Sequence, residues 1–401
     1  MVKLKNMDFS NARLHFAFEG LIALIPYLIL PFSAPVAFFT AIFLLLILSF
    51  FSPGRFARVA LGICIVIGGG VCYCDCDLCH SDLQNYYNTF IDLSNGNLDA
   101  LFDYGKGVEF LLPLYWSIWS LLFGQISSVQ FNILNTITEG ILLLIWIEKY
   151  GAQRYSRQEL SACIALVFLF YGFFELGWLM RQGYSSIFLL FALSARTRFQ
   201  SFVFLALAFF CHTSAILFFP LFVLIRKFPT LGIFMIIILA VMFVLGHFFP
   251  FLYSYATFLP EFFSQKLVFY EEGGGGEAGF PISIFIFNLV LLVFSILYFQ
   301  KIDIEWRWII ILCGPIFFLS GIVISLHFFG RIGMLYYWVA LGFFFFLVLR
   351  NSHVALYLWS FAVFVNKIRT YTLFRENGPS GNGMPANVYG ITGDWFYFLL
   401  Q

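Results

Sequence analysis

Long apolar runs separated by short polar stretches follow one another along almost the whole chain. Most of them are close to the ~20 residues with which a helix crosses the hydrocarbon layer of a bilayer. They lie at roughly 16–32, 34–51, 57–74, 108–123, 129–147, 158–176, 183–196, 199–225, 231–249, 282–300, 307–326, 332–349 and 354–366. We therefore expect an all-α polytopic membrane protein with about 11 to 14 transmembrane helices, built as a single integral membrane domain over residues 1–401.

The composition agrees with a protein that is largely surrounded by lipid. Hydrophobic residues make up 61% of the chain and charged residues 11%, whereas soluble domains carry about 25% charged residues. The net charge of +1 gives no general attraction to polyanions. These values exclude a soluble domain, a disordered chain and a nucleic-acid-binding protein. The apolar run after Met1–Arg13 is too long for the core of a cleavable signal peptide, so none is expected.

Basic residues predict the orientation, because Lys and Arg accumulate on the cytoplasmic side of membrane proteins. We place the N-terminus in the cytoplasm, treat 108–123 as a re-entrant or interfacial helix, and divide 199–225 into two half-helices. Most of the 22 basic residues are then cytoplasmic, and those outside are Lys106, Arg181, Lys266, Arg331, Lys367, Arg369 and Arg375. This topology predicts two large external loops, about 75–128 and about 250–281, and an external tail, about 376–401.

Two arginines, Arg181 and Arg331, are expected at the outer ends of apolar runs. A guanidinium group keeps its charge and forms paired hydrogen bonds with phosphate oxygens. Both residues are therefore candidates for binding a diphosphate at the membrane surface, although side chains that simply extend to the interface are the simpler interpretation. The adjacent glycines, Gly183 and Gly330, would let the backbone approach a ligand.

His212 interrupts the apolar run 199–225. Irregular backbone at membrane depth is tolerated where it lines a cavity, and a histidine there can act as a general base or bind a phosphate oxygen. The alternative is a hydrogen-bonded packing residue. A polar stripe formed by Asn132, Asn135 and Glu139 has helical spacing, and hydrogen bonding between helices is its simpler interpretation.

The first external loop combines acidic and aromatic residues, including Asp82, Tyr86 and Glu109. Carboxylates accept hydrogen bonds from sugar hydroxyls and aromatic rings pack on apolar sugar faces, so carbohydrate is a candidate ligand. Asp82 and Glu109 are also candidates for a catalytic base. Trp116 and Trp119 are three residues apart on the predicted short helix, where we expect an interfacial aromatic anchor.

Four cysteines, Cys72, Cys74, Cys76 and Cys79, are closely spaced at the start of the same loop. Zinc binding, a disulfide and free thiols are all compatible with this spacing; we expect no metal. The chain has neither a Walker-type phosphate loop nor a strand-linked GxGxxG, so an enzyme of this type would need a substrate that is already activated, such as a lipid-linked one. No cofactor is expected.

Five short motifs occur in a suggestive order: Asp82-x-x-x-Tyr86-x-x-x-Phe90, Gly107-Val-Glu109-Phe110, Arg181-Gln182-Gly183, His212-Thr-Ser-Ala, and an external Arg331 at the start of a late run. In this order and placement the chain resembles the EpsG and Wzy polysaccharide polymerases of bacteria. The resemblance runs from about residue 75 to 350. The cysteine cluster and Gly183-Tyr184 depart from the pattern.

The resemblance implies a GT-C-like helical enzyme of the bacterial inner (plasma) membrane, with its active site facing the periplasm. Such enzymes transfer a growing glycan from undecaprenyl diphosphate to the non-reducing end of a lipid-linked repeat unit, alongside a Wzx-type flippase and a Wzz-type chain-length regulator. It implies diphosphate binding by Arg181 and Arg331, glycan binding by Tyr86 and Gln182, and catalysis by His212, Asp82 or Glu109. An O-antigen ligase, another lipid-linked glycosyltransferase, or a lipid-linked oligosaccharide flippase remain alternatives.

Overall fold

The computed structural model describes residues 9–74, 81–103, 107–248, 282–323 and 333–377. Within these ranges the regular structure is entirely helical. The first eleven helices are α1 (Phe9–Ile29), α2 (Ala34–Leu48), α3 (Arg55–Cys74), α4 (Ser81–Ser94), α5 (Ala100–Asp103), α6 (Leu111–Phe123), α7 (Ser128–Trp146), α8 (Arg157–Phe170), α9 (Phe173–Trp178), α10 (Met180–Ser194) and α11 (Arg198–Cys211).

The later helices are α12 (Ala215–Lys227), α13 (Pro229–Phe248), α14 (Ile282–Leu297), α15 (Ile304–Val323), α16 (Leu341–Leu349) and α17 (His353–Asn377). Two π-helical segments, Ile147–Gly151 and Leu335–Ala340, adjoin α7 and α16. The predicted all-α membrane class is confirmed. The predicted external loop 250–281 and most of the tail 376–401 lie outside the described residues.

Length and hydropathy identify two described helices that can cross a membrane, Arg55–Tyr73 and Ser128–Gly151. A third candidate is the pair Ala215–Lys227 and Pro229–Val241, which is bent by 114°. Six further apolar helices have 10–17 residues. The total of about 11 to 14 spans therefore stays a prediction.

Polar residues begin several of these helices. The Ser127 and Ser156 side chains accept hydrogen bonds from the backbone N–H groups of Gln130 and Glu159, whose side chains in turn accept from the backbone of the two serines. Thr197 accepts from the Gln200 amide in the same way at the start of α11. Such caps satisfy N–H groups that have no partner inside the helix, which fixes where the apolar runs start.

The chain forms two compact units, residues 1–213 with 353–401, and residues 214–352. A single membrane domain over 1–401 stays a prediction. In the first unit, α3 packs on α2 and α7, and α10 packs on α7 and α11. In the second unit, α15 packs on α12, α13 and α14, and the Tyr336 and Tyr337 hydroxyls donate to the carbonyls of Ile310 and Gly314.

The segment expected to be an external loop, about 75–128, contains α4, α5 and α6. Helix α4 packs on α6, and the two share an aromatic core with α7. The expectation of an interfacial anchor was wrong: Trp116 is fully buried and Trp119 is 6% exposed. Trp116 packs against Tyr86 and Phe131, and its indole N–H donates to Asn135 Oδ1 at 2.9 Å. These tryptophans therefore pack α6 against α7.

Candidate active site

Glu109 occupies a tight turn just before α6. Gly107 adopts a positive φ of 79°, a conformation that other residues rarely tolerate. The turn leads Glu109 inward, where the residue is only 3% exposed. A carboxylate at such a position needs charged or hydrogen-bonding partners, because burial without them costs several kcal/mol.

Both oxygens of Glu109 have such partners. Oε2 lies 2.5 Å from a terminal guanidinium nitrogen of Arg181. Oε1 lies 2.8 Å from Nδ1 of His212 and accepts from the backbone N–H and the hydroxyl of Thr213, each at 2.9 Å. One buried carboxylate thus connects two segments that are distant from it in sequence, one with Arg181 and the other with His212 and Thr213. We call Glu109, Arg181, His212 and Thr213 the Glu109 cluster.

Helix ends supply these partners. Arg181 is in the first turn of α10, and α11 ends at Cys211. His212 is extended, with φ −157° and ψ 123°, so the predicted interruption of the apolar run near this residue is present. Because the helix stops there, the amide of Thr213 is available to Glu109 instead of to a helical carbonyl.

Exposure differs within the cluster. The Glu109 side chain is 4% exposed, whereas the Arg181 and His212 side chains are each 25% exposed. The carboxylate is therefore the buried member, and the guanidinium and imidazole groups are the members accessible to a ligand. Arg181 also lies against Tyr86: its Nε donates to the phenol oxygen at 3.4 Å, and Cζ is 5.7 Å from the ring centroid.

The hydrogen-bonding pattern assigns the histidine tautomer. An ionised carboxylate can only accept hydrogen bonds, so Nδ1 of His212 carries a hydrogen directed at Glu109. In the neutral ring, Nε2 then holds the lone pair that can take up a proton. A carboxylate that orients an imidazole in this way prepares it to act as a base.

The EpsG family profile matches residues 79–376. The chain belongs to the EpsG family. No curated protein and no solved structure shows a significant match. The EpsG match spans the whole Glu109 cluster and supports a polysaccharide polymerase-like membrane glycosyltransferase.

The structure of this EpsG-family chain brings together three of the residues selected from the sequence, Glu109, Arg181 and His212. Tyr86 contacts the cluster through Arg181. Asp82 lies one turn before Tyr86 on α4, on the same helical face, and Gln182 follows Arg181 and is 8% exposed. Arg331 lies outside the described residues, so its predicted pairing with Arg181 stays a prediction.

Thr213 was not selected from the sequence. Thr213 belongs to the His212-Thr-Ser-Ala motif, but that motif does not indicate a role for its hydroxyl, and its two bonds to Glu109 depend on where α11 ends. The sequence feature that could have indicated Thr213 was the predicted helix interruption. A break in the helix leaves backbone N–H groups near His212 without helical partners, and these groups can then bind a carboxylate.

The space beside Gly183 is occupied by the side chain of Glu139, and not left for a ligand as predicted. We expected close approach of a ligand, but a Cβ at Gly183 would lie 2.5 Å and 2.8 Å from the carboxyl oxygens of Glu139. Glu139 is fully buried on α7, so this glycine allows α7 and α10 to pack. Asn135 of the same stripe forms the expected contacts between helices, since its Oδ1 accepts from the Trp116 indole N–H at 2.9 Å and from the Tyr184 hydroxyl at 3.4 Å.

Of the four clustered cysteines, the structure describes the side chain of Cys72. Cys72 is buried on α3, while Cys76, Cys79 and the side chain of Cys74 lie outside the described residues. In the described part of the chain, no three His, Cys, Asp or Glu side chains are grouped so that they could hold a metal ion.

The pKa of Glu109 predicts a pH dependence of stability. Burial alone raises this pKa, but the hydrogen bond and charge of His212, the Thr213 amide and the charge of Arg181 together lower it from 4.5 to about 2. A group with a lowered pKa contributes stability above its unfolded value and loses it as the pH falls towards the folded value. The advantage of the wild type over Glu109→Gln should be constant above about pH 4.5 and vanish towards about pH 2.

Thermal unfolding of the purified protein in detergent across this pH range measures that difference. Asp92→Asn is the control, because Asp92 is an exposed carboxylate on the neighbouring helix α4. An advantage over Glu109→Gln that persists unchanged at pH 2 would contradict the low pKa.

Proposed function

We propose that the protein is a Wzy-type polysaccharide polymerase. It transfers a growing glycan from undecaprenyl diphosphate to the non-reducing end of an incoming lipid-linked repeat unit. One observation supports the proposal above all others. An accessible arginine, Arg181, and an accessible histidine, His212, both pair with one buried carboxylate, Glu109. Family membership supports the same activity at the coarser level of a polymerase-like glycosyltransferase.

Arg181 binds the leaving group in this proposal. The bond between the anomeric carbon and the diphosphate oxygen breaks, and negative charge grows on that oxygen. A guanidinium group forms charge-assisted hydrogen bonds that strengthen as this charge develops, which lowers the barrier. Glu109 and Tyr86 hold the Arg181 side chain in place. Arg331 is proposed as the second diphosphate-binding residue.

His212 is the proposed base. A hydroxyl at the non-reducing end of the acceptor attacks the anomeric carbon of the donor, and Nε2 of His212 takes the hydroxyl proton as the new glycosidic bond forms. The products are the lengthened glycan on the acceptor lipid and free undecaprenyl diphosphate. Direct displacement of this kind inverts the anomeric configuration. Glu109 keeps Nδ1 protonated and is therefore a positioning residue; its four bonds and low pKa make it a poor base.

The remaining parts of the proposal combine the predicted topology with what the resemblance to the EpsG and Wzy polymerases implies. The Glu109 cluster faces the periplasm at the bacterial inner membrane. Asp82, Tyr86 and Gln182 are the proposed contacts to the glycan. A Wzx-type flippase delivers the lipid-linked repeat units, and a Wzz-type regulator limits chain length.

Polysaccharide gels from a deletion strain test the proposal. Complementation with the wild-type gene should restore a ladder of long chains, whereas Glu109→Gln should give mainly single repeat units that are still attached to their acceptor. Loss of every attached unit in the deletion strain would instead indicate a ligase or a flippase. A normal ladder in the deletion strain would exclude this chain from polymer synthesis.

A further inference from the structure

A second charged site lies in the first unit, away from the Glu109 cluster. It is a cavity of about 520 Å³ lined by four basic side chains, Arg55, Arg58, Lys149 and Arg196, and by one carboxylate, Glu148. Arg55, Lys149 and Arg196 are exposed. The predicted topology puts all four basic residues on the cytoplasmic side. Their excess of positive charge makes the cavity favourable for an anion.

The inner wall of this cavity is rigidly built. Arg58 is 4% exposed and pairs with Glu148, itself 6% exposed, at 3.2 Å; it also donates to the Pro53 carbonyl at 2.8 Å. Glu148 also pairs with the exposed Arg55 at 3.5 Å, so this one carboxylate is shared by two of the four basic side chains and offsets the positive charge of the cavity only in part. The π-helical segment Ile147–Gly151 carries both Glu148 and Lys149, and such segments occur frequently at functional sites.

An apolar groove adjoins the charged cavity. It has a volume of about 680 Å³ and lies between α1 and α3, with Ala23, Leu24 and Phe56 among its lining residues. Arg55 lines both the groove and the charged cavity. Gly20 also lines the groove, and a Cβ there would have no atom within 4 Å, so the groove is open beside α1.

We propose that the cavity and the groove together bind one anionic phospholipid of the bilayer. The phosphate group lies among Arg55, Lys149 and Arg196, and an acyl chain lies in the groove beside Gly20 and Phe56. Cationic pockets beside membrane helices bind anionic headgroups in this manner. A polyprenyl phosphate shares this chemistry, but the predicted topology places the polymerase substrates on the opposite side of the membrane, and the bilayer supplies phospholipid in large excess.

Native mass spectrometry of the full chain in detergent tests the proposal, with palmitoyl-oleoyl phosphatidylglycerol and phosphatidylcholine as probes that share their acyl chains. We expect preferential retention of phosphatidylglycerol. Arg55→Ala/Arg196→Ala should weaken its binding about thirtyfold, at about fivefold for each cation removed. Gly20→Phe should also weaken it, because a Cβ at Gly20 has no atom within 4 Å and the larger side chain would occupy space in the groove that it lines.

Arg157→Ala is the matched control, since Arg157 is exposed on the same predicted side but does not line the cavity. Its phosphatidylglycerol binding should equal that of the wild type. Equal retention of the two phospholipids, or unchanged binding by the double variant, would overturn the proposal. Stronger retention of undecaprenyl phosphate than of phosphatidylglycerol would overturn the assignment to a bilayer phospholipid. Thermal unfolding verifies that each variant is folded.

Discussion

Replacing His212 by alanine is expected to reduce the rate of chain extension by about 10²–10⁴-fold, the range that a positioned general base contributes. His212→Gln is the sharper variant, because its amide can still donate to Glu109 but has no nitrogen that takes up a proton. It should preserve the fold and lose nearly as much activity as His212→Ala. The measurement is the initial rate of polymer formation from lipid-linked repeat units in proteoliposomes.

His353→Ala is the control for the loss of a histidine, since His353 is exposed and begins α17. Glu109→Gln tests whether the orientation of His212 determines the rate, because it removes the carboxylate that holds Nδ1 of His212. It should resemble His212→Gln in rate. Wild-type rates from His212→Gln would eliminate this histidine as the base, and a packing role would then explain its position.

Replacing Arg181 by alanine is expected to slow chain extension by about 10²–10³-fold, as for the loss of a donor that stabilises charge in the transition state. Arg181→Lys keeps the charge but loses the planar fork, and should slow extension about tenfold. Both variants should accumulate normally, because Glu109 retains His212 and Thr213 as partners. The same proteoliposome assay gives the rates, and the polymer should be shorter.

Arg369→Ala is the matched control for the loss of an arginine, because Arg369 is exposed and is predicted to lie on the same side of the membrane. Its chain extension should be normal. Rates for Arg181→Ala within about twofold of the wild type would remove Arg181 from the proposed transition state. Its contact with Glu109 would then be a structural ion pair.

The helices were predictable from sequence because hydrophobic length and capping residues are local signals. The apolar run 129–147 corresponds to α7, Ser128–Trp146, and the interruption near His212 separates α11 from α12. In the first external segment the predicted helix 108–123 corresponds to α6, but the prediction missed α4 and α5. The cue for α4 was the four-residue spacing of Asp82, Tyr86 and Phe90, which is typical of one helical face.

The members of the Glu109 cluster were predictable individually, but their contacts were not. Ionisable groups in or beside apolar runs are few in this chain, which singled out Arg181 and His212, whereas Glu109 was selected as an acidic residue of the first external loop. No periodicity connects residues about a hundred positions apart, and each carried two or more possible roles. The burial of the α6 tryptophans was not predictable for a similar reason. A tryptophan buried among helices and a tryptophan at the membrane interface look alike in the sequence, and they differ only in which atoms surround the indole in the folded protein.

The sequence separation within the Glu109 cluster has a consequence for biogenesis. Glu109 precedes Arg181 by 72 residues and Thr213 by 104. At about 5–20 residues per second, ribosomes need about 4–14 s to reach the first partner and about 5–21 s to reach the last. Until Arg181 has been synthesised, the carboxylate has none of these partners and is most stable in water. A nascent chain stalled before residue 213 therefore contains most of the apolar runs of the first unit while this carboxylate still lacks its full set of donors.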